Sequence, residues 1–176
     1  MNEPSNSKMT SSVRAIIGAE VLIIDQDESV RDGVSQLATE AKMISSGVAD
    51  PADAWAILQE RFFSVVVVDL DSPHPNAGLE TVTSVKMISP TSSIIVLTPR
   101  KSYEAGLEAI RAGAMDVVHK SPGSIEYLKN KLVLAAGLSQ QWRERQSMLR
   151  EASATHDKFL QLLMHAEREV TDLQDK

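Results

Sequence analysis

From residue 20 to residue 122, short apolar runs alternate with segments in which apolar residues recur every third or fourth position. VLII at 21–24 is apolar throughout and rich in β-branched residues, as a strand buried on both faces would be. Residues 29–42 follow with Val30, Val34, Leu37, Ala38 and Ala41 at helical spacing. MISSGV at 43–48 reads as a weaker strand. Asp50-Pro51 is a helix start, an N-cap acceptor followed by proline at the first helical position. SVVVVD at 64–69 has the strongest strand pattern, and a loop with Pro73, Pro75 and Asn76 leads to a helix at 79–88. SIIVL at 93–97 predicts a fourth strand, 102–112 a fourth helix stopped by Gly113, and DVVH at 116–119 a fifth strand before Pro122-Gly123. Five buried strands alternating with helices predict an α/β fold with one parallel sheet and helices on both faces. In such sheets the chemistry lies beyond the carboxyl ends of the strands.

Residues 124–176 contain no proline and read as helix, with Gly137 the expected bend. Beyond it one heptad register runs through Leu138, Trp142, Arg145, Leu149, Ala152, His156, Phe159, Leu163, Ala166, Val170 and Leu173, and nine of these 11 positions are apolar. A sustained 4-3 apolar stripe flanked by mixed charge predicts a dimeric coiled coil. The other reading is a helix folding back on the α/β part. His156 and Arg145 fall on the seam and read as register-setting polar residues, and Trp142 as an interface anchor. Residues 1–19 are rich in Ser, Asn and Thr and read as a flexible leader, with local packing expected at most of Val13, Ile16 and Ile17. The predicted organisation is thus a leader at 1–19, an α/β domain at 20–136 and a dimerising helix at 137–176.

Composition narrows the chemistry. The chain has no cysteine, which removes disulfides, thiolate metal sites and thiol redox. No apolar run approaches a membrane span and no signal-peptide core precedes the domain, so a cytoplasmic protein without membrane contact is expected. Residues 20–123 carry −7 of the net −6, residues 1–19 carry +1, and residues 124–176 are neutral. No segment has the basic excess of a DNA-binding domain, and aromatics at 4% leave few stacking platforms for nucleic acid. His74, His119 and His165 show no metal-ligand spacing.

The strand ends carry Asp25-Gln26-Asp27-Glu28, Asp69-Leu70-Asp71, Thr98 and Lys120. A parallel sheet puts all of these on one edge, where clustered carboxylates suit Mg²⁺ and a lysine and hydroxyl suit a phosphoryl group.

VLIIDQDESVR, VVVVDLDSPHPNAGLE, IIVLTP and AGAMDVVHKSP, in this order, resemble the receiver domains of two-component response regulators, over about residues 20–135. The resemblance implies a flavodoxin-like (βα)5 fold and a phosphorylated aspartate. It implies Asp69 as phosphoacceptor, Asp25 as acidic Mg²⁺ ligand, a metal-binding main-chain carbonyl at Asp71, Thr98 as switch hydroxyl and Lys120 as phosphoryl partner. Asp27 joins the metal set as a substitute for the neighbouring acid, because Gln26 stands where the family has a second carboxylate; weaker Mg²⁺ binding is expected. Pro99 lacks the N–H that contacts the phosphoryl group in the family. Val117 replaces the switch aromatic, Ser121 separates Lys120 from Pro122, which displaces or removes the family's cis peptide, and the loop after Pro73 is one residue longer. A weaker resemblance joins the segment at 163–173 to the opening of LuxR-type helix-turn-helix domains, through Glu167, Arg168, Glu169, Val170, Asp172 and Leu173; Met164, His165 and Ala166 do not supply the Thr-Pro cap.

The expected function is a dimeric aspartyl-phosphate switch, served by a sensor histidine kinase or phosphotransfer protein and acting on an unidentified output protein, with no DNA-binding domain of its own. A phosphorylation-independent dimeric scaffold is the alternative. No enzymatic activity is expected, since no general base stands beyond the receiver set.

Overall fold

The computed structural model describes residues 16–174, with side chains as far as residue 165. Five parallel strands form one sheet: β1 (Glu20–Ile24), β2 (Ile44–Val48), β3 (Val65–Asp69), β4 (Ser93–Thr98) and β5 (Asp116–His119), in the order β2-β1-β3-β4-β5. The helices between them are α1 (Glu28–Glu40), α2 (Pro51–Glu60), α3 (Gly78–Ile88) and α4 (Tyr103–Ala112). A short 3₁₀ turn (Pro122–Ser124) leads into α5 (Ile125–Gln174). This is the flavodoxin-like α/β architecture that the alternating pattern predicts.

Side-chain alternation along the strands fills two cores. On one face Val21, Ile23, Val65, Val67, Ile95 and Leu97 pack with Val34 and Ala38 of α1 and Leu128, Leu132, Ala135 and Ala136 of α5. On the other, Leu22, Ile24, Val66, Val68, Ile94 and Val96 meet Ala54 and Leu58 of α2, Val82 and Val85 of α3, and Ala105 and Ala109 of α4. Burial on both faces is why β3 and β4 are continuous apolar runs rather than alternating ones. β2, one of the two edge strands, is the most exposed, which accounts for its weak sequence signal.

The helix boundaries follow local chemistry. The Asp50 carboxylate accepts from the Ala52 N–H at 2.8 Å ahead of Pro51. Ser102 caps α4 through the Ala105 N–H at 3.2 Å. Gly113, at φ +115°, ends α4 in the left-handed conformation that suits glycine. Ile16, within the expected leader, is buried in the first core, and the Gly18 N–H donates to the Lys42 carbonyl at 2.8 Å; residues 1–15 of the leader lie outside the described residues.

The chain divides into two compact units between Gln140 and Gln141. The second is wholly α5. Its apolar residues Trp142, Leu149, Phe159 and Leu163 are 54, 65, 58 and 47% exposed in the single chain. The Arg145 guanidinium lies 6.0 Å from the Trp142 ring centre. α5 runs through Gly137 as one helical element, where the sequence marked a bend; the Gly137 site is open, with nothing within 4 Å of a Cβ placed there. The side chains of 166–174, which hold most of the LuxR-like motif, lie outside the described residues.

Candidate functional site

Register sets the site. Asp69 of β3 pairs with Leu97 of β4, and Thr98 pairs with His119 of β5, so the carboxyl ends of the strands finish at one rim. Asp25, directly after β1, is held by its own N–H donating to the Val48 carbonyl at 3.1 Å, and is 2% exposed. Lys120, directly after β5, donates its N–H to the Thr98 carbonyl at 2.8 Å. Its side chain reaches past β4 toward β3 and β1. Lys120 Nζ lies 2.7 Å from Asp25 Oδ2 and 3.1 Å from Asp69 Oδ2, so one ammonium bridges two carboxylates from adjacent strands.

The remaining carboxylate oxygens are taken by main-chain donors. Asp25 Oδ1 accepts the Asp27 N–H at 2.9 Å, and Asp69 Oδ1 accepts the Asp71 N–H at 3.1 Å. Arg31 clamps the β1–α1 turn from outside, donating to the carbonyls of Asp25 at 2.7 Å and Gln26 at 3.0 Å. Behind Asp69 the β3–α3 segment passes close. A Cβ at Gly78 would stand 2.3 Å from the Asp69 carbonyl oxygen and 2.7 Å from Leu70 Cα, so only glycine fits there.

Asp71 faces the other way. Its Oδ2 accepts from the Thr98 hydroxyl at 2.8 Å, and its Oδ1 pairs with Arg100 Nη2 at 2.5 Å. The same Nη2 donates to Asn76 Oδ1 at 2.5 Å, and the Arg100 N–H donates to Thr98 Oγ1 at 3.1 Å. Thr98 is buried, and its hydroxyl is therefore directed to Asp71. Pro99 supplies no donor; its carbonyl accepts from His119 Nε2 at 2.9 Å.

The electrostatics follow. Burial lifts Asp25 above the usual carboxylate range, outweighing the Lys120 contact and the Asp27 N–H, and the neighbouring Asp69 charge adds to the rise. Burial opposes the charge on Lys120, but the Asp25 hydrogen bond and the charges of Asp25 and Asp69 prevail and raise its pKa. Burial also acts against Asp71, yet the hydrogen bonds from Thr98 and Arg100 hold it below the ordinary value.

Asp25, Asp69, Asp71, Thr98 and Lys120, all named from the sequence, thus meet at one rim. Asp27 is placed otherwise. It is exposed and caps α1, its Oδ1 accepting the Ser29 N–H at 2.9 Å and the Ser29 hydroxyl at 2.7 Å. Gln26 is exposed. Arg100 and Gly78 border the site without having been singled out, and Asn76, read from the sequence only as a loop residue, meets Arg100 outside it. The cis peptide among the described residues is Ser72–Pro73.

Among the described residues no three acidic or histidine side chains gather as a metal-binding group. Two convergent carboxylates, Asp25 and Asp69, still fit a hard ion that keeps most of its waters. They provide one charge fewer than three acids would.

The comparisons with known proteins agree with this geometry. A profile described as the response regulator receiver domain matches residues 21–132. The chain is 28% identical over 119 residues to chemotaxis protein CheY of Thermotoga maritima, covering 66% of this chain and 98% of that one. It is 32% identical over 68 residues to the transcriptional regulatory protein ZraR of Salmonella typhimurium, but spans only 15% of that protein's length. Among solved structures, the beryllofluoride-activated DrrB receiver domain superposes with a TM-score of 0.60 at 26% identity, over 66% of this chain and 96% of that one. A receiver domain of an HD-domain protein from Pseudomonas fluorescens, at 22% identity and a TM-score of 0.66 over 73% of this chain and 94% of that one, shares the fold. No helix among the described residues is long and apolar enough to cross a membrane. With the strand-end acids, hydroxyl and lysine converging and the family profile covering most of the α/β unit, this chain belongs to the response regulator receiver domain family.

Proposed function

We propose that the chain is a phosphorylation-controlled switch of a two-component system in the cytoplasm, with Asp69 as phosphoacceptor. The supporting observation is the Lys120 bridge between Asp25 and Asp69 beside a buried Thr98 hydroxyl. In this reading an Asp69 carboxylate oxygen forms a bond to phosphorus of a phosphohistidine on a kinase or phosphotransfer protein. The P–N bond breaks, and the imidazole leaves with its electron pair. Lys120, already at the attacking carboxylate, follows the developing charge onto the phosphoryl oxygens. Asp25, Asp69 and the Asp71 carbonyl would hold Mg²⁺, which supplies charge neutralisation when bound, with weakened affinity because Gln26 brings no charge. Residues 20–136 act as the switch and 137–176 as a dimerising helix, whose exposed apolar residues support pairing with a second copy. The output is an interaction with another protein.

A phosphorylation-independent scaffold is the second reading. It is favoured by the Thr98 hydroxyl being engaged by Asp71 and by Val117 in place of an aromatic.

Incubation with acetyl phosphate and Mg²⁺, followed by intact-mass measurement, separates the two. Addition of one phosphoryl group that is absent in Asp69→Asn supports the switch. No addition to the wild-type chain refutes it. Sedimentation tests the helix: a wild-type dimer should become monomeric on Leu149→Glu or Leu163→Glu, and a monomeric wild type would refute the pairing.

A further inference from the structure

Arg100 stands two residues past Thr98, where β4 leaves the sheet. Its Nη2 is shared between Asp71 Oδ1 and Asn76 Oδ1, while its Nε is buried and has no hydrogen-bond partner among the described residues. A guanidinium is a planar fork of five donors suited to anions with several acceptor oxygens. Here two donor directions are not matched alike: one is shared by two acceptors, and a buried one has none. Buried donors without acceptors are uncommon in native structures and point to a ligand or to an alternative arrangement.

The charge pattern points the same way. Three carboxylates, Asp25, Asp69 and Asp71, meet two cations, Lys120 and Arg100. Lys120 is committed to Asp25 and Asp69. Arg100 is the cation at this rim not paired with Asp69. Among the described residues it is joined to it through Asp71, whose N–H donates to Asp69 Oδ1. A phosphoryl group on Asp69 would add negative charge and acceptor oxygens next to Asp71, weakening the hold of Asp71 and Asn76 on the guanidinium.

We propose that Arg100 is a phosphoryl-binding residue: when Asp69 is phosphorylated, the guanidinium exchanges Asn76 and Asp71 for phosphoryl oxygens and satisfies its buried Nε there. The exchange removes the guanidinium's hold on Asn76, which sits in the left-handed region at φ +66° and whose N–H keeps only the long 3.4 Å hydrogen bond to Asp71 Oδ1, and so transmits the state of Asp69 to the β3–α3 loop. This rests on Asp69 being the phosphoacceptor.

The test is titration of the full chain with beryllofluoride and Mg²⁺, read by calorimetry and by ¹⁹F resonance position. Arg100→Ala should weaken binding about 10-fold, the value of one charge-assisted hydrogen-bond set, and shift the bound ¹⁹F signals. Arg100→Lys should recover part of the affinity, keeping the charge without the fork. Asn76→Ala removes a competitor for the guanidinium and should leave affinity at least as high as wild type. Equal affinity in wild type and Arg100→Ala overturns the proposal while leaving Asp69 as phosphoacceptor. So does an Asn76→Ala loss as large as the Arg100→Ala loss, which would assign Arg100 to holding the loop. Absence of binding to the wild-type chain removes both this proposal and the phosphorylation reading. If Arg100→Ala does not fold, Arg100→Lys against Asn76→Ala decides by the same criteria.

Discussion

Replacing Lys120 with methionine removes the one ammonium between Asp25 and Asp69 while keeping most of the side-chain volume. At an effective dielectric of about 20, contacts of 2.7 and 3.1 Å correspond to roughly 6 and 5 kcal/mol of attraction. Much of this is offset by desolvating the ammonium, whose side chain is 19% exposed, and by repulsion between the two acids. Removing one partner of a buried ion pair typically destabilises by 3–5 kcal/mol, and we expect Lys120→Met to lose about 3 kcal/mol at pH 7. The loss depends on pH, and its sign is fixed by Asp25. Burial and the Asp69 charge already raise its pKa, and Lys120 supplies the chief opposing influence. Without Lys120 the Asp25 pKa rises further in the folded state than in the unfolded chain. Protonation then favours the fold, so the variant regains stability as pH falls from 7 toward the raised value. Urea unfolding of both proteins at pH 7 and pH 5 measures this, with the gap narrower at pH 5. Adding Asp25→Asn to Lys120→Met should recover part of the pH 7 loss. A gap under about 0.5 kcal/mol at pH 7, or one that widens at pH 5, would refute the view of Lys120 as the compensating charge.

Other substitutions test the frame around the site. Gly78→Ala forces a Cβ against the Asp69 carbonyl and should destabilise by about 2–3 kcal/mol in thermal or urea unfolding; a wild-type midpoint would contradict the close approach. Phe63→Ala empties a site with no solvent exposure and should lose about 3–5 kcal/mol by the same assay. For Asp116, burial opposes its charge, but hydrogen bonds from Lys131, Tyr127 and the Val117 N–H outweigh it and depress the pKa. Its contribution is therefore present above the ordinary carboxylate range and lost as pH falls through the lowered folded value. Asp116→Asn should be less stable than wild type at pH 7, with the gap closing as pH falls below the ordinary carboxylate range; a constant offset would show that the charge is not the cause.

The strands and their order of appearance were legible because β1, β3 and β4 are buried on both faces and leave unbroken apolar runs. The meeting of Asp25, Asp69, Thr98 and Lys120 followed from parallel strand direction alone. What stayed hidden depends on choices that a sequence does not display. An aspartate two residues before a helical serine can ligate an ion or cap the helix, and Asp27 caps because the Ser29 N–H and hydroxyl both reach one of its oxygens. Asp71 was placed for its main-chain carbonyl, while its side chain turned to Thr98 and Arg100, a matter of rotamer. The Gly78 approach arises from a return of the chain after a loop with two prolines, to which no periodicity points. Ile16 was readable as apolar, but nothing nearby announced that it joins the core.

Strand order also bears on how the molecule is assembled. Asp25 and Asp69 sit on neighbouring strands made early in translation, whereas the charge that offsets them arrives only with residue 120, on the far edge, and must stretch over β4 to meet them. Before β5 is in place the two acids have only their main-chain donors, the Asp27 and Asp71 N–H groups, and no ammonium between them. Charge balance at the rim is therefore a property of the complete sheet rather than of the strands that carry the acids.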